Sequence, residues 1–434
     1  MIELLEELHD QDLIADIDWH FARLMARFDG HERPEVALAA ALASVQTRRG
    51  HVCLDLADCA GGPLAAVLEE ASLGDTQIPD CTLPELDEWR HSLLRSPVVA
   101  GPGCDGQAPL VLDDAGRLYL ARYRRAESDV AVRLIEMART GDLLAGIGAK
   151  LDRLFGEDDQ DQRRAAEAVL RRRLCVVTGG PGTGKTFVAA RVIALLRDLG
   201  LARLDRIALV APTGKAAARL QESVAAQIES LAAVVSALAD YRAKASTVHR
   251  LLYRARGGRL PVDAVILDEA SMVDLALMSR LVDVLPDAAR LVVLGDANQL
   301  ASVQPGAVLG DLCAAAAVPG SPLGGCVLAL TKSRRFAKDS GIGRLAVAIV
   351  SGDATGALNA LNDPRDSRTE LHPLTDARAF DLFAANHALE SWAPCLENPR
   401  EVPFPKLRVL CAHRHGPFGT HRFNRLVEAE LRQR

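Results

Sequence analysis

Gly179, Gly180, Pro181, Gly182, Thr183, Gly184, Lys185 and Thr186 follow one another between a short apolar run, Leu174-Cys-Val-Val177, and an Ala/Leu-rich segment reaching about Leu199. An apolar strand-like run, a glycine-rich turn and a helical segment, in that order, are what a bound phosphate needs. Gly179, Gly182 and Gly184 let the backbone curl so that successive N–H groups point inward, and the unpaired N–H groups of the following helix reach the same spot. Lys185 would neutralise the β- and γ-phosphates of ATP, and the Thr186 hydroxyl would sit on Mg²⁺. The segment reads as a P-loop, and all eight residues are candidate nucleotide ligands.

A second apolar run, Ala264-Val-Ile-Leu267, ends in Asp268-Glu-Ala-Ser271. Asp268 would hold Mg²⁺, directly or through water, and Glu269 is placed to polarise a water for attack on the γ-phosphate. Two adjacent carboxylates at a strand end can instead cap a helix; the P-loop upstream favours catalysis. Gln299, in Gly295-Asp-Ala-Asn-Gln-Leu300, is an uncharged group able to contact both the attacking water and the γ-phosphate. Arg334 and Arg335 follow a further apolar run ending at Leu330, and an arginine there could stabilise charge on the transferring group. The residues alone do not choose between the pair.

The elements that must position these groups recur at regular intervals. Ile207-Ala-Leu-Val210 ends in Ala211-Pro-Thr-Gly-Lys215, Ala264–Leu267 ends in the acidic pair, and Leu291-Val-Val-Leu294 ends in the segment holding Gln299. Strands alternating with helices predict an α/β fold with a parallel sheet, whose ligands gather beyond the carboxyl ends of the strands. The candidates are therefore expected to converge on one crevice. Upstream, apolar residues recurring at three and four from Met1 to about Phe28 predict helices packed on one face, and Pro34 opens another. His51–Leu56 alternates like a strand, about 83–94 is a helical patch, Pro109–Leu112 and Arg117–Tyr123 predict a hairpin, and 125–155 predicts a long helical connector. Residues 1–124 carry nothing catalytic and read as an independent, mainly helical docking domain of mixed α/β character.

The 434 residues, 49% hydrophobic and 25% charged, suit a soluble globular chain of two or three domains. A net charge of −6 provides no global basic field, so any nucleic-acid surface must be a local groove. The nine cysteines, at 53, 59, 81, 104, 175, 313, 326, 395 and 411, fall singly, without zinc spacing or a paired framework, and read as reduced thiols. Cys175 and Cys411 lie inside apolar strand-like runs. The acidic, amphipathic start is unlike a signal peptide, and no apolar run approaches a membrane span, so a cytoplasmic protein is expected. With aromatics at 4%, no obvious base-stacking platform appears. Tyr241, Tyr253 and Phe336 are possible stackers, with core packing the ordinary role of each.

Taken in order, Gln162, Gly179–Thr186, Ala211–Lys215, Ser246-Thr-Val-His249, Asp268–Ser271, Gly295–Val303 and Leu330–Phe336 resemble successive motifs of superfamily 1 DNA helicases. The set most resembles the RecD family, the alpha subunit of exonuclease V (RecBCD); Arg49–Asp58 and Leu410–Gly419 are similar to that family specifically. The resemblance implies a P-loop NTPase (RecA-like) motor domain over 125–340 and the beginning of a second RecA-like domain over 341–434. It implies an ATP-driven motor moving 5′→3′ on single-stranded DNA, in a heterotrimer with RecB-like and RecC-like subunits that unwinds and degrades broken duplex ends. By the same pattern, Gln162, otherwise a solvated helix residue, reads the adenine, Arg335 contacts the γ-phosphate, and Thr213, His249 and Ser302 lie near the DNA channel. The nuclease would belong to the RecB-like subunit, and no nuclease motif is visible here. Family members continue into a DNA-gripping motif and a final arginine-bearing motif, so a C-terminally truncated chain is expected. The alternatives are a hydrolysis-poor, ATP-binding assembly or regulatory subunit and, more distantly, a P-loop NTPase with a non-DNA substrate.

Overall fold

The computed structural model describes residues 2–433 apart from 32, 69–77, 104–107, 142–145, 256–257, 338, 364–367, 375 and 398–406. Cys104 lies outside the described residues. The chain divides into two compact units, Met1–Ala337 and Lys338–Arg434.

The first unit contains two sheets. The smaller has β1 (Cys53–Asp55), β2 (Val99–Ala100), β3 (Leu110–Leu112) and β4 (Arg117–Leu120) in the order β1-β4-β3-β2. Strands β3 and β4 form the expected hairpin, with Gly116 at φ +86° closing the turn. The strand stops at Leu120, because from Ala121 the apolar spacing changes from two to three and four. Tyr123, Val130, Leu134 and Met137 then fall on one buried face of the helix Ala121–Ala138. The connector is thus two helices, the second, Ile147–Leu154, opening after Gly146 at φ +77°.

Around the small sheet pack the helices Ile2–Asp10, Asp16–Phe28, Pro34–Arg48 and Leu86–Leu94. Pro34 sits at the first helical position, where its missing N–H costs nothing. Every residue from Val36 to Val45 is buried, as expected of a helix that is apolar all round. Asp18, fully buried, joins this helix to its neighbour: it accepts hydrogen bonds from Ser44 Oγ at 2.7 Å and Arg48 Nε at 2.8 Å.

The larger sheet has six parallel strands: β5 (Leu174–Gly179), β6 (Ile207–Ala211), β7 (Ala245–Thr247), β8 (Ala264–Leu267), β9 (Arg290–Gly295) and β10 (Val327–Leu330). Their order is β10-β5-β9-β8-β6-β7. The strands read as continuous apolar runs because helices cover both faces. Along β5, Cys175 and Val177 enter one core while Leu174 and Val176 enter the other. Each such Val or Leu contributes about 1.5–3 kcal/mol of transfer free energy on burial.

The second unit contains the helices Gly341–Ser351, Ala354–Leu361, Ala377–Glu397 and Thr420–Gln433, with a small core of Ala384, Phe423 and Val427. No strand occurs among its described residues. The strand-like run ending at Cys411 is irregular, and Leu410 is 93% exposed. An apolar run becomes a strand only where a neighbour pairs with it, and no described residue of this unit does so.

Candidate active site

The P-loop joins β5 to the helix Lys185–Asp198 at the carboxyl edge of the parallel sheet. Close approach fixes two of its glycines. A Cβ on Gly179 would lie 2.8 Å from the Leu330 carbonyl oxygen of β10. One on Gly182, whose φ is +78°, would lie 2.6 Å from Arg335 Cβ. Thr183 donates its hydroxyl to the Gly180 carbonyl at 2.9 Å, and the Lys185 ammonium donates to the Gly179 and Gly180 carbonyls. Burial pulls the Lys185 pKa down, opposed by the charges of Asp296, Asp268 and Glu269.

Gln162 is buried, and its amide donates to the Thr183 carbonyl at 3.0 Å. It braces the P-loop from below and is no solvated helix residue. It does not line the cleft.

Beyond β8, burial pushes the Asp268 carboxyl up and the neighbouring Glu269 charge adds to this, against the Glu269 N–H and Lys185. Thr186, in the same cleft, makes no side-chain hydrogen bond among the described residues. A buried carboxylate beside a second acid and an unengaged hydroxyl is a hard oxygen set that fits a divalent cation. Glu269 adopts φ +51° and ψ +43°, the left-handed region. Only Asp12 and His31 share a positive φ among the described non-glycine residues. That conformation costs about 1–2 kcal/mol and is typical of strained positions at functional sites.

The loop after β9 is tied at several points. Ala297 N–H donates to Thr178 Oγ1 at 3.1 Å, and the Ser271 hydroxyl reaches Gln299 Oε1 at 3.5 Å. Gly306 N–H donates to the Gly50 carbonyl at 3.0 Å, joining the loop to the Arg49–Asp58 stretch. Ser302 turns its hydroxyl toward the Gln304 and Gly306 carbonyls of its own loop, at 2.8 and 3.1 Å.

After β10 the arginine pair divides. Arg334 pairs with Asp159 and lies over the Phe187 ring, 5.0 Å from its centroid. Arg335 lines the cleft.

Lys185, Thr186, Asp268, Glu269, Gln299 and Arg335 all line one cavity of about 680 Å³, with Pro181, Gly182, Thr183 and Gly184 at its rim. Gly179 and Gly180 lie behind it. Thr213, expected near a DNA channel, also lines this cavity, where its hydroxyl accepts the Ala216 N–H at 3.2 Å and caps the helix Gly214–Ala232. His249 and Ser302 lie outside it. A second cavity of about 690 Å³ is lined by residues of β6 and β7 together with Arg206, Tyr241 and Arg242, and contains no candidate residue. Tyr241 packs against the core, whereas Tyr253 is 72% exposed.

Lys215, Arg219 and Ser223 also line the nucleotide cleft and were not singled out from the sequence. Their spacing of four along a helix was the available signal. The second hydroxyl support, Ser271 beneath Gln299, had no local signal beyond lying in the Asp268–Ser271 motif. Among the described residues there is no metal-binding cluster of His, Cys, Asp or Glu, and no helix is long and apolar enough to cross a membrane.

The family model for the N-terminal domain of the RecBCD enzyme subunit RecD matches residues 10–119, and that for an AAA domain matches residues 157–368. The RecBCD enzyme subunit RecD of Mycolicibacterium smegmatis is 37% identical over 437 residues, covering 97% of this chain and 73% of that protein. The RecBCD enzyme subunit RecD of Haemophilus influenzae is 30% identical over 511 residues, covering 100% of this chain and 79% of its own length. The ATP-dependent RecD2 DNA helicase of Deinococcus radiodurans is 33% identical over 334 residues, covering 72% of this chain and 39% of that protein. With a P-loop cleft on a parallel sheet and relatives matched over most of their length, the chain belongs to the RecBCD subunit RecD family and is an ATP-dependent DNA helicase.

Proposed function

We propose that the chain is the motor subunit of a RecBCD-type exonuclease V complex, moving 5′→3′ on single-stranded DNA beside RecB-like and RecC-like subunits. It would act in the cytoplasm, in repair of double-strand breaks and in recombination. The observation that carries the reading is that Lys185, Asp268, Glu269, Gln299 and Arg335, from four separate strand ends, line one cavity. We read 1–124 as the partner-docking domain, 125–340 as the first RecA-like motor domain and 341–434 as the beginning of the second.

In the proposed step a water oxygen bonds to the γ-phosphorus while the bond to the bridging oxygen breaks. The electron pair leaves on ADP, and Glu269 takes the water proton. Lys185 and Arg335 balance charge on the phosphoryl oxygens, and Gln299 orients the water. Thr186 and Asp268 would hold Mg²⁺, which supplies charge neutralisation between the β- and γ-phosphates. Gln162 acts through the P-loop backbone that it braces, beside the adenine end of the site. His249 and Ser302 would face the DNA, and Thr213 would link the two sites through the helix that it caps.

Strand displacement on duplexes carrying either a 5′ or a 3′ single-stranded tail tests the polarity, using the chain co-expressed with the RecB-like and RecC-like subunits. Unwinding dependent on Lys185 only from the 5′-tailed substrate is the expected result. Loss of only the 3′-tailed reaction in Lys185→Ala would overturn it.

A further inference from the structure

We propose that Lys215 and Arg219 form a second phosphate-binding wall of the ATP cleft, with Arg219 directed at the terminal phosphate. The inference rests on the reading of this cleft as the ATP site and extends it to residues outside the motif positions assigned above.

The helix Gly214–Ala232 starts at the Thr213 cap, and residues four apart on it share a face. Lys215, Arg219 and Ser223 are such a series, and all three line the cavity that holds Lys185 and Asp268. Exposed cations on a helix are ordinarily solvated or paired with neighbouring acids. Neither Lys215 nor Arg219 has a side-chain hydrogen bond or ion pair among the described residues, whereas Arg191, Arg206 and Arg334 are engaged.

Charge provides the second argument. The lining holds four cations, Lys185, Lys215, Arg219 and Arg335, against two carboxylates, Asp268 and Glu269. Without Lys215 and Arg219 the cleft is neutral; with them it carries a surplus of two. ATP with one bound divalent cation carries about −2, so the surplus matches the ligand. Two helix N-termini, at Lys185 and Gly214, add positive potential to the same space.

Topology gives Arg219 a role that Arg335 does not duplicate. Arg335 follows β10, on one side of β5, and Arg219 follows β6, three strands away on the other side. The two guanidiniums would approach the phosphates from opposite flanks.

The test is titration of the full chain with ADP and with a non-hydrolysable ATP analogue, for wild type, Arg219→Ala, Arg219→Lys, Lys215→Ala and Lys185→Ala. Single-stranded-DNA binding without nucleotide is measured alongside. Arg219→Ala should lose at least about tenfold in affinity for the ATP analogue and less than about threefold for ADP, the loss expected for a charge-assisted contact to the γ-phosphate. Lys215→Ala should weaken both nucleotides, and Arg219→Lys should restore only part of the analogue affinity, because an ammonium cannot reproduce the guanidinium fork. Unchanged analogue affinity in Arg219→Ala, with Lys185→Ala defective, would overturn the wall while leaving the ATP site standing. Weakened DNA binding with intact nucleotide binding would also overturn it and assign the cations to DNA phosphates. Intact binding in Lys185→Ala would remove the ATP-site reading and the wall together.

Discussion

Glycine at position 182 answers two constraints at once, a left-handed φ of +78° and an approach that would place its Cβ 2.6 Å from Arg335 Cβ. Gly182→Ala should therefore displace Arg335 and distort the cradle, weakening ATP-analogue binding by at least about tenfold in a fluorescence titration. Lys185→Ala should lower ATP turnover by about 10²–10³-fold, the scale of losing one preorganised charge donor. Its unfolding free energy, measured with urea, should move by less than about 1 kcal/mol, since the side chain sits on a loop. At this scale the motifs were legible because phosphate chemistry demands particular residues in a particular order. The division of labour between Arg334 and Arg335 was not, because it depends on Asp159, 175 residues away in sequence. Gln162 was legible as a position but not as a contact: its amide engages a backbone carbonyl, which no residue type announces.

Three acids at the entrance to the helix Gln160–Arg171 hold the segment after β10. Lys332 meets Asp158 at 3.0 Å, the Thr331 hydroxyl donates to Asp161 at 3.0 Å, and Arg334 pairs with Asp159. Burial pushes the Asp159 carboxyl up, but the Arg334 hydrogen bond and charge, with the Gly156 N–H and Arg191, outweigh this and hold it below the usual carboxylate range. A carboxyl depressed in the folded state contributes stability that is complete above the ordinary value of about 4 and is lost as pH falls through the lower folded value. Asp159→Asn should thus cost about 1 kcal/mol at pH 7, Arg334 being partly exposed and its pairing screened. The gap between wild type and variant should narrow below about pH 4 in urea unfolding. A gap independent of pH would contradict the electrostatic account. In the N-terminal helices, Asp18→Ala should destabilise by about 3 kcal/mol, because it strands Arg48 and Ser44 at a buried junction. Pairing across 26 and 30 residues leaves no local pattern, so the sequence showed these helices but not the clasp between them.

Over the whole molecule, the six parallel strands were legible because both faces are covered, which makes each strand a bare apolar run ending in a functional turn. Convergence at the carboxyl edge followed from that topology. Two features did not follow. The run from Leu407 to Cys411 has strand composition but no pairing neighbour, and pairing is a property of the sheet. The Gly50–Gly306 bond places the N-terminal region against the loop carrying Gln299, a contact spanning most of the first unit in sequence. The central claim, that this cleft turns ATP hydrolysis into work on DNA, is tested most directly by steady-state ATPase of the chain with and without single-stranded DNA, beside Lys185→Ala. The account predicts turnover that rises at least about tenfold with DNA and disappears in the variant. Turnover indifferent to DNA, or surviving in Lys185→Ala, would contradict it.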